Sequence, residues 1–405
     1  MKKIVKKMFF TTAMAALMST AVTAVMTTTV NAETIKLGVI LGFTGPIESL
    51  APDMAAGAEL AIKEVSASGA LLGGSTVTAV RGDTTCTDSA AATATTERLV
   101  TSDKINAIVG GDCSGVTTAM LQNVAIANGI VMVSPSATSP ALSTIEDNGL
   151  FFRTAPSDAR QGQVLTTILK EKGVKSAAMT YTNNDYGKGL ANSIKTNFEK
   201  AGGKITISAA HEDGKGDYTA EVGALAAAGG DVLIVAGYLD QGGKGIIQAA
   251  LDTGAFETFV LPDGMIGDSL PMAIGKDLNG SYGTVPGTDS PGAAKYGDMA
   301  KAGGFKAGPF SSESYDAAAL IMLAMQAAGS SESQKFKAKI MDVANAPGTK
   351  IYPGELAKAL KILKDGGAVD YVGASAVELI GAGESAGNYR EILVSGGKNT
   401  TAGFR

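Results

Sequence analysis

The chain has 405 residues, a formal net charge of −5, two cysteines, one histidine and no tryptophan. An acidic balance argues against a nucleic-acid partner, which needs a basic surface to neutralise phosphates. One histidine, His211, and two cysteines outside C-x-x-C spacing make a metal site the poorer alternative to a disulfide.

Lys2, Lys3, Lys6 and Lys7 precede an uncharged stretch from Met8 to about Met26, and Val30-Asn31-Ala32 fits an A-x-A-like cleavage site. Residues 1–32 are therefore expected to be a secretory signal peptide, cut after Ala32. Threonines and serines such as Thr11, Thr12, Ser19 and Thr20 dilute the stretch, which argues against a membrane anchor. No later segment reaches the roughly 18 apolar residues of a span. No cysteine precedes Cys86, so a lipid-modified N-terminal cysteine is not expected. Export implies an oxidising compartment, where Cys86 and Cys113 are expected to pair. In the chain-entropy model such a loop closure contributes roughly 3–4 kcal/mol.

The mature chain, long enough for two domains, alternates strand and helix patterns. Ile35–Leu41 reads as a strand. Ala51–Ser68 reads as a helix, with Met54, Ala58, Ala61, Ile62 and Val65 on one face. Strand Thr76–Val80 and helix Ala90–Val100 follow. Next comes a strand–helix–strand unit from Ala107 to Pro140. Its first strand opens into Asp112-Cys113-Ser114-Gly115, and its second into Ser134-Pro135-Ser136-Ala137-Thr138-Ser139-Pro140. In a parallel sheet both turns emerge at the carboxyl ends, where such sheets bind ligands. Hydroxyls beside the free N–H groups of a helix start suit a carboxylate.

After Phe152-Arg153-Thr154 the pattern restarts: helix Gln161–Glu171, strand Ser176–Tyr181, helix Gly187–Ala201, strand Lys204–Ala209, helix Thr219–Ala228, strand Asp231–Ala236, helix Gly245–Asp252 and strand Thr258–Leu261. A Gly/Pro/Ser-rich loop near Val285-Pro286-Gly287 leads into helical pattern from Ser311 to about Lys364. Val377–Ile380 and Tyr389–Val394 read as final strands. Two successive series predict an α/β protein of two doubly wound parallel-sheet lobes.

Nothing in the chain resembles catalytic machinery. There is no G-x-S-x-G, no P-loop, and no G-x-G-x-x-G following a strand. His211, next to Glu212 and Asp213, reads as a surface residue. A binding role is favoured over a secreted enzyme.

Several motifs recur in a known order: the opening Gly38-Val39-Ile40-Leu41-Gly42-Phe43-Thr44-Gly45-Pro46, the cysteine pair, Cys113-Ser114, Ser134-Pro135-Ser136-Ala137-Thr138, Phe152-Arg153-Thr154, Asp185-Tyr186-Gly187-Lys188-Gly189-Leu190-Ala191, and Gly237-Tyr238. In this order the chain resembles the type I periplasmic solute-binding proteins of ABC importers, specifically the leucine/isoleucine/valine-binding family. The resemblance implies two lobes joined by three crossover strands. The first lobe would be 33–155 plus 287–385, and the second 156–286 plus 386–405. It implies no cofactor, a periplasmic location, monomeric action, a free amino acid as ligand and a membrane permease as partner. A sensory protein of the same fold, serving a receptor, is the other reading.

The resemblance also assigns residues. Ser114 would hold the α-carboxylate, against the simpler reading of a helix N-cap. Ser136 and Ala137 lie in the turn whose backbone meets the ammonium, and Thr138 would touch both ends. Asp263 stands where relatives place a glutamate for the ammonium, though Pro262-Asp263-Gly264 also reads as an ordinary turn. Asp158 is a second acidic candidate near the crossover. Tyr186 and Tyr238 would close over the ligand, or else simply pack. Ile47-Glu48-Ser49-Leu50-Ala51 and Ser311-Ser312-Glu313 replace aromatic positions of leucine-binding relatives. A roomier or more polar pocket is therefore expected, with Glu48 and Glu313 as candidates to face a polar ligand tail.

Overall fold

A computed structural model of the protein describes residues 32–405, so the expected leader, up to Asn31, lies outside the described residues. Five strands open the fold: β1 (Thr34–Leu41), β2 (Thr76–Asp83), β3 (Ala107–Gly110), β4 (Met132–Ser134) and β5 (Phe151–Pro156). Five more follow: β6 (Ser176–Thr182), β7 (Lys204–His211), β8 (Val232–Ala236), β9 (Phe259–Leu261) and β10 (Tyr282–Pro286). The short strands β11 (Thr349–Ile351) and β12 (Val369–Tyr371) pair with each other. The chain ends with β13 (Leu379–Ile380), β14 (Glu384–Ser385), β15 (Tyr389–Ser395) and β16 (Lys398–Phe404).

Two seven-stranded sheets result, ordered β13-β14-β5-β4-β3-β1-β2 and β16-β15-β10-β9-β8-β6-β7. The first five strands of each are parallel and run 2-1-3-4-5. This is a doubly wound order, with its switch point between the first and third strands. Strands such as β8 are buried along their whole length, as parallel strands covered on both faces must be. The chain passes between the lobes three times, at 156–158, 286–291 and 385–389.

Local chemistry sets the helix ends beside the switch points. Asp88 caps Ser89–Thr101 through the N–H groups of Ala90 and Ala91, and Asn184 caps Asp185–Lys200 through Gly187 N–H. The helix Ser311–Ala328 is buried almost all round, because it packs on Ala51–Ser68 and on the first sheet. At Gly110 (φ 142°) a Cβ would lie 2.1 Å from Ile40 O, so only glycine lets β1 and β3 stay paired up to the switch point.

The structure departs from the sequence reading in places with identifiable causes. β10, Tyr-Gly-Thr-Val-Pro, reads as loop because of Gly283 and Pro286, yet it is buried between β9 and β15. β16 is a polar edge strand that shows no apolar alternation, and it pairs through a turn at Gly396-Gly397. The helical stretch predicted for 311–364 is interrupted around Pro347 and Pro353, where β11 forms. His211 is not a surface residue: it ends β7 only 1% exposed. Its Nδ1 lies 2.8 Å from Thr180 Oγ1, and Tyr218 packs edge-on against the ring. Burial pushes its pKa down to about 4. The acids Glu212 and Asp213 that suggested a surface lie beyond the strand end.

Candidate ligand-binding cleft

The carboxyl ends of the two sheets face each other across one small cavity. From the first lobe come Ile47 and Leu50 after β1, Asp112, Cys113 and Ser114 after β3, Ser136 after β4, and Phe310 before the helix Ser311–Ala328. From the second come Tyr186 after β6, Tyr238 after β8, and Asp263 and Gly264 after β9. The first and third strands of each lobe both contribute, so the two switch points supply opposite walls of one site.

On one wall the helix Ser114–Met120 begins at Cys113, whose carbonyl accepts from Thr117 N–H at 2.9 Å. Cys113 is thus the N-cap, and the alternative of Ser114 as the cap falls away. The N–H groups of Ser114, Gly115 and Val116 precede the first intrahelical bond and have no helical acceptor. Ser114 Oγ accepts from Ser139 N–H at 3.0 Å, which leaves its own proton to donate. A disulfide joins Cys86 to Cys113 and anchors this turn. Asp112 fixes it from behind, accepting from Gly42 N–H and, at 2.9 Å, from Thr84 Oγ1.

The Ser134–Ser139 turn is held by Arg153, buried to 1% exposure. Its Nη1 donates to Ala137 O at 3.0 Å and Ser139 O at 2.9 Å, and its Nη2 pairs with Glu384 at 2.5 Å. Ser136 Oγ donates to Asp112 O at 3.0 Å and borders the cavity. Ala137 and Thr138 do not line the cavity; they form the layer behind it, together with Asp158. Thr138 O accepts from Asp158 N–H at 2.8 Å, while Thr138 Oγ1 and Asp158 Oδ2 are buried without a partner of good geometry.

On the opposite wall Tyr186 and Tyr238 stack at 5.1 Å with 18° between their planes. The Tyr186 hydroxyl donates to Asp263 Oδ1 at 2.7 Å, and Gly264 N–H donates to the same oxygen at 2.8 Å. With its amide turned, Gln161 adds a third donor to Oδ1 at 3.2 Å. These donors favour the Asp263 carboxylate, but burial dominates and lifts its pKa to about 6. Asp158 is raised well above the carboxylate range, first by burial and then by the charge of Asp263. Three donors on Asp263 against an unpartnered oxygen on Asp158 favour the ionised form at Asp263 over that at Asp158.

The far end of the cavity is apolar, walled by Ile47, Leu50 and Phe310. These three side chains run against the expectation of a more polar pocket, although Asp112, Ser114, Ser136 and Asp263 share the lining. Phe310, one residue before Ser311-Ser312-Glu313, takes a left-handed φ of 60° and supplies an aromatic wall from a shifted position. Glu48 is exposed and does not line the cavity. Glu313 is buried away from it, where burial pushes its pKa up to about 7. Ile47 and Leu50 lie inside a quoted segment and Phe310 directly precedes another, and apolarity within a polar loop is their signal.

Known proteins share this construction. The profile of a family described as periplasmic binding protein matches residues 34–355. The chain belongs to that family. The Leu/Ile/Val-binding protein of Citrobacter freundii is 30% identical over 256 residues, covering 63% of this chain and 68% of that protein. A leucine-binding protein from Thermotoga maritima has a TM-score of 0.78 at 22% identity, over 91% of this chain and 98% of its own. An ABC-transporter solute-binding protein from R. palustris, in complex with benzoate, scores 0.73 at 20% identity, over 92% and 96%. At these identities the two solved structures establish that this binding protein has the two-lobed type I fold.

Proposed function

We propose that this periplasmic binding protein captures a free, neutral, aliphatic amino acid between its lobes and delivers it to an ABC-transporter permease, without transforming it. The lobes are those of the sequence division, 33–155 plus 287–385 and 156–286 plus 386–405, and the protein acts as an exported monomer. The ligand α-carboxylate meets the Ser114 hydroxyl and the free N–H groups of its turn. Its ammonium meets Asp263, with Ser136 and the layer of Ala137, Thr138 and Asp158 behind. Tyr186 and Tyr238 cover the zwitterion, and the side chain points at Ile47, Leu50 and Phe310.

The observation that carries this reading is the opposition, across one cavity, of a donor-rich helix start and a buried carboxylate with a third, apolar wall. A benzoate-type acid fits the fold but offers nothing to Asp263. The relatives named for leucine, isoleucine and valine support an aliphatic ligand. The test is a thermal-shift screen of refolded, ligand-stripped protein. A ligand at 100 times its Kd adds about 2.7 kcal/mol of stability. Leucine, isoleucine or valine are expected to raise the melting temperature; a response only to aromatic acids would refute the reading.

A further inference from the structure

The segment Pro46–Leu50 of the first lobe carries Ile47 and Leu50 into the cavity, and the segment 237–241 of the second carries Tyr238. These two pocket-lining segments are hydrogen-bonded to each other through one residue. Asp240 N–H donates to Pro46 O at 3.1 Å, and Asp240 Oδ2 accepts from Ser49 N–H at 2.9 Å. Its other oxygen, Oδ1, accepts from Ser269 Oγ at 2.6 Å, and Ser49 Oγ lies 3.1 Å from the same Ser269 Oγ. A second observation marks the same junction. At Gly267 a Cβ would lie 2.9 Å from Leu50 Cδ2 and 2.5 Å from Leu239 Cδ1. The second lobe thus presents bare backbone where Leu50 arrives.

We propose that Asp240 is a positioning residue for ligand selectivity: it clamps Pro46–Leu50 onto the second lobe and so completes the apolar end of the cavity only when the lobes close. The proposal rests on the amino-acid reading of the cleft. Asp240 does not line the cavity, so it acts on the ligand through Ile47 and Leu50. Both of its hydrogen bonds to Pro46–Leu50 join opposite lobes, so opening breaks them and frees the loop. A ligand whose side chain reaches the apolar end feels this clamp. One whose side chain stops at a methyl group does not.

The test is calorimetric titration of wild type, Asp240→Ala and Asp240→Asn with leucine and with alanine, together with stopped-flow release rates. Loss of a hydrogen bond to a charged acceptor corresponds to about a tenfold effect. Asp240→Ala is expected to weaken leucine about tenfold, mostly through faster release, and alanine less than about threefold. The leucine-to-alanine ratio then collapses, while the ligand-free melting temperature stays put. Asp240→Asn keeps an oxygen for Ser49 N–H and recovers most of the ratio, a rescue that a loss of general stability would not give. Equal losses for both ligands, or none, overturn the clamp. Failure of wild type to bind either amino acid counts against the ligand reading instead. The same ratio is then taken between the largest and smallest ligands that the thermal-shift screen returns.

Discussion

Replacing Asp263 by asparagine tests the cleft most sharply, because it should move two observables in opposite directions. In the folded protein burial lifts the Asp263 carboxyl from 3.8 to about 6. At pH 7 that shift amounts to roughly 3 kcal/mol against the charged form. With the pKa raised, this group's contribution to the folded state is present below pH 3.8 and lost as pH rises through about 6. Folding at neutral pH therefore buries a carboxylate that water no longer solvates. Asp263→Asn removes the penalty and should stabilise the ligand-free protein at pH 7, visible as a raised urea midpoint. It also removes the ammonium's partner. Truncating one side of a buried, hydrogen-bonded charge pair costs about 2–5 kcal/mol, or about thirtyfold to a few thousandfold in Kd. Calorimetry with leucine measures that loss. An Asp263→Asn variant that binds within about threefold of wild type would refute the assignment.

The same pKa gives a pH prediction: amino-acid affinity should fall about tenfold per unit below about pH 6, as a proton replaces the ammonium on Asp263; a flat titration down to pH 4.5 would exclude it. His211, lowered by burial to about 4, acts on stability instead. Its neutral form is held in the fold, so stability is full above pH 6.5 and falls by up to about 3 kcal/mol toward pH 4; denaturant melts of His211→Gln across that range should be flatter than wild type. Reducing the Cys86–Cys113 disulfide should cost about 3–4 kcal/mol of stability and loosen the Ser114 turn, so urea midpoint and leucine affinity should drop together. Arg153→Met should destabilise by about 3–5 kcal/mol, because the carbonyls of Ala137 and Ser139 and the Glu384 carboxylate lose a buried partner; a melting temperature unchanged from wild type would contradict this.

The two-lobed α/β architecture was legible because each lobe repeats strong, buried parallel strands separated by amphipathic helices. Ala107–Gly110 and Val232–Ala236 announce themselves without any tertiary information. β10 was not legible, since Gly283 and Pro286 signal a loop and only its place between β9 and β15 makes it a strand. At the site, Ser114, Ser136, Tyr186, Tyr238 and Asp263 could be named because the motifs around them resemble those of the family, and the structure gathers all five around one cavity. Phe310 could not be named. Its ring reaches the cavity through a left-handed backbone at a helix start, a conformation that sequence pattern does not encode. The two acids at Glu48 and Glu313 misled for a related reason. Polarity in a loop does not say on which side of the backbone the carboxylate lies.

Selectivity for a zwitterion follows from how lightly the lobes are held together. Apart from the Asp240 bonds, the cross-lobe polar contacts include the Lys306–Asp268 ion pair at 2.8 Å, whose partners are both more than half exposed. Such a pair contributes about 0–1 kcal/mol, and each neutral hydrogen bond about 0.5–1.5. With contacts this weak between the lobes, a ligand decides closure by its differential affinity for the closed state. A ligand with an ammonium turns the Asp263 penalty into attraction. An acid without one, benzoate for example, leaves the penalty standing and adds a second negative charge to the cleft. The difference is on the order of that penalty, about 3 kcal/mol or roughly a hundredfold in affinity. Discrimination between zwitterion and simple acid therefore needs no steric exclusion: one buried carboxylate, Asp263, suffices.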